Sequence, residues 1–588
     1  MKKYILFAIS GILLTSCLDT SVLPNDITIG EDFWKDKADV SSMVSGTYKA
    51  MCAEAVIERC IVWGDFRSDD LNTVASNIGG TKYNSLKDMA AGNMDYNNTY
   101  SDWTALYQVI NRCNIVLSRA RDVVEIDPSY TLETYNTDES QMLALRALCY
   151  FYLVRAFRDV PYSDEAFMNS SQKMLAEQQA PAYVLQRCID DLEAALQHPL
   201  SPMGFQDWRR YGLLNRDAIN AILADVYLWR ASMMHSTADF QKAIQYCDAV
   251  IDSKKRQNEL AQESGTPRRP GGGAISEDAQ FPLISGEQAY EEIFINGNSS
   301  ESIFELQMDG TNDVNSALCN SYWMTGGRNM GLMAAPQSIF NKTGENMVYA
   351  NDYDYRYWDN CFKVNSTDAA DLSVRKMVDR SSLGNTSDTR NTKSNAYPGS
   401  NINRPNNASR FQQNWIFYRL SDIMLMKAEA LVQLNDTASF VEAFNLVREV
   451  NKRSMADTLQ AVTNNCVSQS DYEQLVLQER QRELCFEGKR WFDLVRYSYR
   501  HVDGIQADKT LYEIAGGEAA NVSRFVQNYP DMMSLMVRKY SEGGNAIGTK
   551  MNTEAHLYFP ILNSEQKANY LLHQNPVYDE DDVYVKTK

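Results

Sequence analysis

The densest run of chemically capable side chains lies towards the C-terminal end: Glu479-Arg480-Gln481-Arg482-Glu483-Leu484-Cys485-Phe486-Glu487-Gly488-Lys489-Arg490-Trp491-Phe492-Asp493-Leu494. Two neighbouring carboxyls can serve as acid and nucleophile in glycoside cleavage. That chemistry needs one of them held protonated near neutral pH. The spacing opposes it. Glu479 and Arg482 stand three apart, as do Glu487 and Arg490, where opposite charges meet on a helix. A carboxylate beside a cation stays ionised. The run therefore reads as structural ion pairing. Asp422 and Glu429, inside apolar helical patterns, read the same way, with Arg146 and Arg419 as candidate partners. CxxC, HExxH, GxSxG and phosphate-loop lysine motifs are absent, and the five histidines are scattered. Gly326 to Gly331 is glycine-rich but lacks the following lysine. Asp352, Asp354 and Asp359 alternate with aromatics and lack the glycine turn of a calcium loop, so no metal or other cofactor is assigned.

Aromatic residues, 11% of the chain, are more informative. A sugar offers flat C–H faces to aromatic rings and hydroxyls to polar groups, so a glycan site joins exposed Trp or Tyr to Asn, Asp, Gln or Arg. Each ring contact is worth about 1 kcal/mol by analogy with ring pairs, so several are needed. Two segments supply this mixture. One runs from Trp63 through Asp65 and Arg67 to Asn72 and continues through a polar stretch containing Tyr83 and Tyr96. The other holds Asn320, Tyr322 and Trp323, with Arg328 nearby. Trp323, Tyr322, Asn320, Arg328, Trp63, Asp65, Arg67 and Tyr83 are the candidate ligand contacts, although Asp65 and Arg67 can equally fix a loop. Tyr353, Tyr355, Tyr357 and Trp358 form either a second contact patch or a packing plug. Trp103, Trp229 and Trp491 lie on helical stripes and read as core.

The elements that must position these residues are mostly helical. Apolar spacing of three and four predicts helices over 100–121, 139–157, 182–196, 215–233 and 239–251, with Asn215 as a cap. The second should stop near Asp159-Val160-Pro161, because proline forbids continuation. Helices return over 418–433, 439–452 and 471–497. Between them, residues 260 to 410 are rich in Asn, Ser, Gly, Asp and aromatics, with short extended pieces such as Ser302 to Met308. So long a stretch is not bare linker, and loops of this kind carry function on a rigid scaffold. Paired helices with short turns suggest a helical-repeat body.

The 588 residues carry 57 Lys and Arg against 76 Asp and Glu, a net charge of −19, which disfavours binding to nucleic acid. Lys2 and Lys3 precede an apolar stretch, Tyr4 to Leu14, too short to span a bilayer. Leu14-Thr15-Ser16-Cys17 follows it and resembles a bacterial lipobox. The resemblance implies cleavage before Cys17 and lipidation of its sulfur, with residues 1–16 as the signal peptide. Cys149, Cys188, Cys247 and Cys485 sit in helical apolar patterns and read as small buried hydrophobes.

Several stretches, in order, resemble the SusD/RagB family of outer-membrane lipoproteins. They are Phe33-Trp34-Lys35 with Val44 to Tyr48; Trp103, Leu106, Tyr107, Ile110 and Asn114; Arg146 to Leu153 with Phe157 and Asp159-Val160-Pro161; Arg419 to Ala430; Glu479 to Leu494; and Phe559-Pro560-Ile561 with Gln574-Asn575-Pro576. The resemblance implies a mainly α fold: a scaffold of four tetratricopeptide-like helix pairs carrying a long irregular segment with the ligand site. Residues 17–588 would form one such domain, with a helical part at 17–258, a loop-rich insertion at 259–412, and a helical part and tail at 413–588. It further implies a surface lipoprotein, not an enzyme, that captures an oligosaccharide and hands it to a SusC-like TonB-dependent transporter. A peptide ligand is the alternative within the family, and a lipid-anchored glycoside hydrolase or a purely protein-binding scaffold the alternatives outside it.

Overall fold

In the computed structural model the described residues are 33–74, 79–169, 172, 175–263, 280–310, 313–322, 324–325, 328–329, 331–340, 348–349, 353–363, 372–377, 412–516 and 553–578. The N-terminal helices are α1 (Lys37–Met51), α2 (Glu54–Ile61), α3 (Thr81–Ala90), α4 (Thr104–Ile126), α5 (Leu132–Phe157), α6 (Pro181–Ala195), α7 (Arg216–Met234) and α8 (Thr237–Glu263). A short α9 (Ser316–Tyr322) stands in the middle of the chain. α10 (Leu420–Val432), α11 (Thr437–Arg453), α12 (Gln469–Leu484), α13 (Arg490–Arg500) and α14 (Leu511–Ala515) follow. The pairs α4/α5, α7/α8, α10/α11 and α12/α13 are each joined by a short turn, giving a mainly α, tetratricopeptide-like scaffold. One apolar core runs from Trp34 to Leu572 and contains Trp103, Trp229 and Trp491.

Local chemistry sets the helix ends. Asn215 Oδ1 accepts the Asp217 and Ala218 amides at 2.9 and 3.1 Å, the cap read from the sequence. α5 begins earlier than its apolar stripe, at a Thr131 cap, because its first turns are polar and half exposed. It also ends before the proline. Arg158 turns into the left-handed region, φ 64°, and its buried guanidinium meets Asp159 and Glu554, both at 2.8 Å. The expected extended piece is the strand Ser302–Leu306, whose antiparallel partner is Trp415–Arg419. The latter strand takes Tyr418 out of the predicted helix.

The predicted helix 471–497 is in fact two. Phe486 and Gly488 adopt φ of 68° and 71° between them. Gly488 has no room for a side chain: a Cβ there would lie 2.6 Å from the Cys60 carbonyl oxygen. On the opposite chain, a Cβ on Gly64 would lie 2.0 Å from the Gly488 oxygen. This contact seats α2 and the π-turn Val62–Phe66 on the start of α13.

The break splays the charged run into the core, where its partners are distant in sequence. Arg419 holds Glu487 at 2.7 and 2.8 Å and Glu483 at 2.6 Å. Arg356 holds Asp354, Glu479 and Glu483 at 2.7 to 2.8 Å. Arg453 joins Glu301 and Glu483. Glu479 does pair with Arg482 at 2.9 Å, as its spacing predicts. Glu487 does not pair with Arg490, which turns instead to Asp69 at 2.7 Å. Asp422 is met by Arg480 and Lys489, and Glu429 by Arg496 and Arg500, so Arg146 is not their partner: it binds Asp191 at 2.8 Å. Arg419 likewise serves Glu483 and Glu487. Burial alone would raise the Glu483 carboxyl, but Arg453, Arg419 and Arg356 hold it well below the usual carboxylate range.

Glu473, at the outer end of this network, meets His501 at 2.9 Å and Arg500 at 3.0 Å. Burial pushes its carboxyl up, yet the His501 hydrogen bond and the Arg500 charge bring it down to about 2. A folded-state value below the ordinary 4.5 means that ionised Glu473 stabilises the fold above about pH 4.5. That contribution is lost as pH falls from there towards 2. Glu473→Gln should therefore melt below the wild type at pH 7, and the gap should narrow steadily as pH falls from about 4.5 to about 2. A gap that stays constant in melting curves across that range would contradict the assignment.

Candidate functional site

The two aromatic segments meet although they are far apart in sequence. The strand Asn72–Thr73 pairs antiparallel with Met333–Ala334, Asn72 opposite Ala334 and Thr73 opposite Met333. The Val74 amide donates to the Leu332 carbonyl, and the Leu332 amide to the Asn320 carbonyl at 2.9 Å. Tyr83 packs with Val74 and Ala334 in a small separate core, and its hydroxyl donates to the Val74 carbonyl at 3.0 Å. α9 lies on α2, and beyond it the hairpin Met324–Thr325/Arg328–Asn329 sets Arg328 opposite Thr325. The result is a face built from the described residues of the segments around Asn72–Thr73 and α3 and of α9, the hairpin and Met333–Ala334.

Asn320 is exposed on this face, and its amide donates to Glu54 Oε1 at 2.8 Å. Lys82 from α3 reaches Glu54 at 3.1 Å and Glu58 at 3.0 Å. Burial lowers its pKa, but the two glutamates outweigh burial and raise it. Glu54, Glu58 and Lys82 were not singled out from the sequence, since the two glutamates lie on α2 and their cation on α3, with no local spacing to join them. Arg328 is placed on the hairpin by its backbone. Trp323, between α9 and the hairpin in the chain, lies outside the described residues, as does Cys17, and Trp358 is placed by its backbone alone, in the helix Tyr355–Asp359.

The other predicted contacts are not on the face. Tyr322 is only 2% exposed and its hydroxyl is buried. Tyr83 is buried as described. Trp63 is 1% exposed, donates its indole N–H to the Tyr100 carbonyl at 2.8 Å, and meets Phe157 edge to face. Asp65 accepts the Gly488, Lys489 and Arg490 amides at 2.7, 3.1 and 3.1 Å, capping the first turn of α13. Burial pushes its carboxyl up to about 7, against the pull of those three amides. Arg67 donates to the Leu557 carbonyl at 2.7 Å and lies 4.3 Å over the Trp491 ring. These residues support the face from beneath and offer a ligand no surface. Their polar sequence neighbours suggested exposure; for Trp63, Asp65 and Arg67 the covering chain, Phe559 and the start of α13, arrives from some 420 to 490 residues away.

The carboxyls of the charged run are buried and ion-paired, with Glu479, Glu483 and Glu487 all held below their ordinary value once the arginines offset burial. Of the three aspartates weighed for calcium, Asp354 binds Arg356. Among the described residues no group of three or more His, Cys, Asp or Glu is placed to hold a metal ion. The ten cysteines from Cys52 to Cys485 are free thiols, and Cys149, Cys188, Cys247 and Cys485 are buried as read.

Paired helices that carry a loop-built face define a class of helical-repeat scaffold protein. Residues 294–578 match the SusD family, and residues 37–228 match a family described as starch-binding, associating with the outer membrane. The chain belongs to the SusD/RagB family. It is 23% identical over 561 residues to SusD-like protein P38 of Formosa agariphila, covering 90% of this chain and 100% of that one. In three dimensions it resembles a SusD superfamily protein of Bacteroides vulgatus, with TM-score 0.64, 14% identity and coverage of 93% and 100%. It also resembles NanU of B. fragilis, with TM-score 0.60, 17% identity and coverage of 96% and 100%. Among the described residues no helix is long and apolar enough to cross a membrane.

If Trp63 is scaffold, Trp63→Ala should cost about 3–5 kcal/mol of stability, the range for emptying a buried aromatic site. Thermal unfolding would show it as a large drop in Tm. A variant that melts like the wild type but loses ligand would restore Trp63 to the binding surface.

Proposed function

We propose that this protein is a lipid-anchored receptor at the cell surface that captures an oligosaccharide and delivers it, uncut, to a SusC-like TonB-dependent transporter. The observation that carries this reading is the ribbon Asn72–Thr73/Met333–Ala334, which joins the two loop segments into one face. Trp323, beside that ribbon in the chain, is proposed as the stacking platform, with Asn320 and Arg328 meeting hydroxyls. The family description, starch-binding in association with the outer membrane, supports a glycan over a peptide. The commitment of the buried carboxylates to arginines supports binding without hydrolysis. Cys17 is proposed as the lipid attachment point, with residues 17–588 as one domain.

A glycan-array screen followed by calorimetry tests the ligand. Trp323→Ala should weaken the best glycan about five- to tenfold, the effect of losing about 1–1.4 kcal/mol of stacking, with Tm unchanged. Unaltered affinity would remove Trp323 from the site. Release of shorter sugars by the purified protein, or binding of peptides alone, would refute the function.

For the anchor, Cys17→Ser should move the protein from the outer-membrane fraction to the soluble fraction of the envelope. Retention in the membrane would exclude Cys17 as the tether.

A further inference from the structure

A second cavity lies away from the loop face, where the end of α5, the segment 177–183, α14 and the C-terminal tail converge. Its volume is about 430 Å³, within the roughly 300–1,000 Å³ range of small-molecule sites. Its walls carry three kinds of group. Tyr183, 47% exposed, lines one side, and Tyr512, stacked on His573 with centroids 3.6 Å apart, lines another. Phe157 and Phe559 form an apolar floor. The carboxylates of Glu177 and Asp508 and the amide of Gln179 line it without a hydrogen-bond or ion-pair partner among the described residues. The remaining two carboxylates, Asp159 and Glu513, are engaged by Arg158 and Thr510. Among the described residues no Lys or Arg lines the cavity.

We infer that this cavity is a second carbohydrate subsite, for a pyranose ring without acidic substituents. Free carboxylates and an amide call for a ligand rich in donors, which hydroxyls supply. Flat ring faces and an apolar floor call for a C–H-bearing ring. With four carboxylates on its walls and no lysine or arginine among the described lining, the cavity disfavours a uronic or sulfated sugar. A simple cation would leave the ring faces and the amide unused. The inference shares with the proposed function the premise of a sugar ligand, but it concerns different residues.

Saturation-transfer NMR on the full chain tests it. The probes are methyl α-glucoside, methyl β-galactoside, methyl α-mannoside and glucosamine, with glucuronic acid and arginine amide as charge controls. At least one of the four sugars should give signal, and glucuronic acid none. Tyr183→Ala and Gln179→Ala, at surface-accessible positions, should each reduce that signal about fivefold, the loss of about 1 kcal/mol. In a Trp323→Ala background the losses caused by Tyr183→Ala and Gln179→Ala should persist, so failure of the loop face and failure of this cavity are read separately. Silence from all four sugars, signal unmoved by both cavity variants, or signal from arginine amide alone would overturn the inference.

Discussion

The structure depends on ion pairs kept out of water. Glu483 is 2% exposed, yet it is shared by Arg356, Arg419 and Arg453, which come from three separate stretches of chain. Glu487 is shared by Arg419 and Lys376. Such pairs add little net stability, since desolvation offsets most of the attraction. Their force is in the penalty for error: a buried charge that loses its partner costs about 3–5 kcal/mol. Any packing of α12 and α13 that displaced one of these segments would strand a charge. The network thus penalises every register but one.

The same logic reaches the loop-built face. Asp69 is locked to Arg490, and Asp65 to the first amides of α13. The chain leaving that anchor is the strand Asn72–Thr73, which pairs with Met333–Ala334. A rigid charged core therefore fixes where a polar loop surface can stand. The face itself is held by few contacts: a two-residue ribbon, the small core of Val74, Tyr83 and Ala334, and the Lys82–Glu54–Asn320 cluster. A stiff body with variable loops is a physical basis for recognising different ligands on one scaffold. The carboxylates of the charged run are buried and paired beneath the face.

Much of the fold was legible because its signals are local. The Asn215 cap, the stripes of α4 and α7, and the pairing of Glu479 with Arg482 all act within one or two helical turns. The strand Trp415–Arg419 was hidden, since a fully buried strand reads like the start of a buried helix. The break between α12 and α13 was hidden too. Charged and apolar residues there continue a helical rhythm, and only Gly488 hints at the turn.

By itself the amino-acid sequence determined a mainly helical body, its net negative charge, the pairing of Glu479 with Arg482 and the two segments rich in aromatic and polar residues. Periodicity and the pairing of near neighbours are enough for these. Tertiary structure alone decided which members of those segments face water. Trp63, Asp65 and Arg67 sit in polar surroundings along the chain, but Phe559, Trp491 and the α13 amides close over them. Exposure is a property of what packs from a distance, and residues some 420 positions away leave no trace in local spacing.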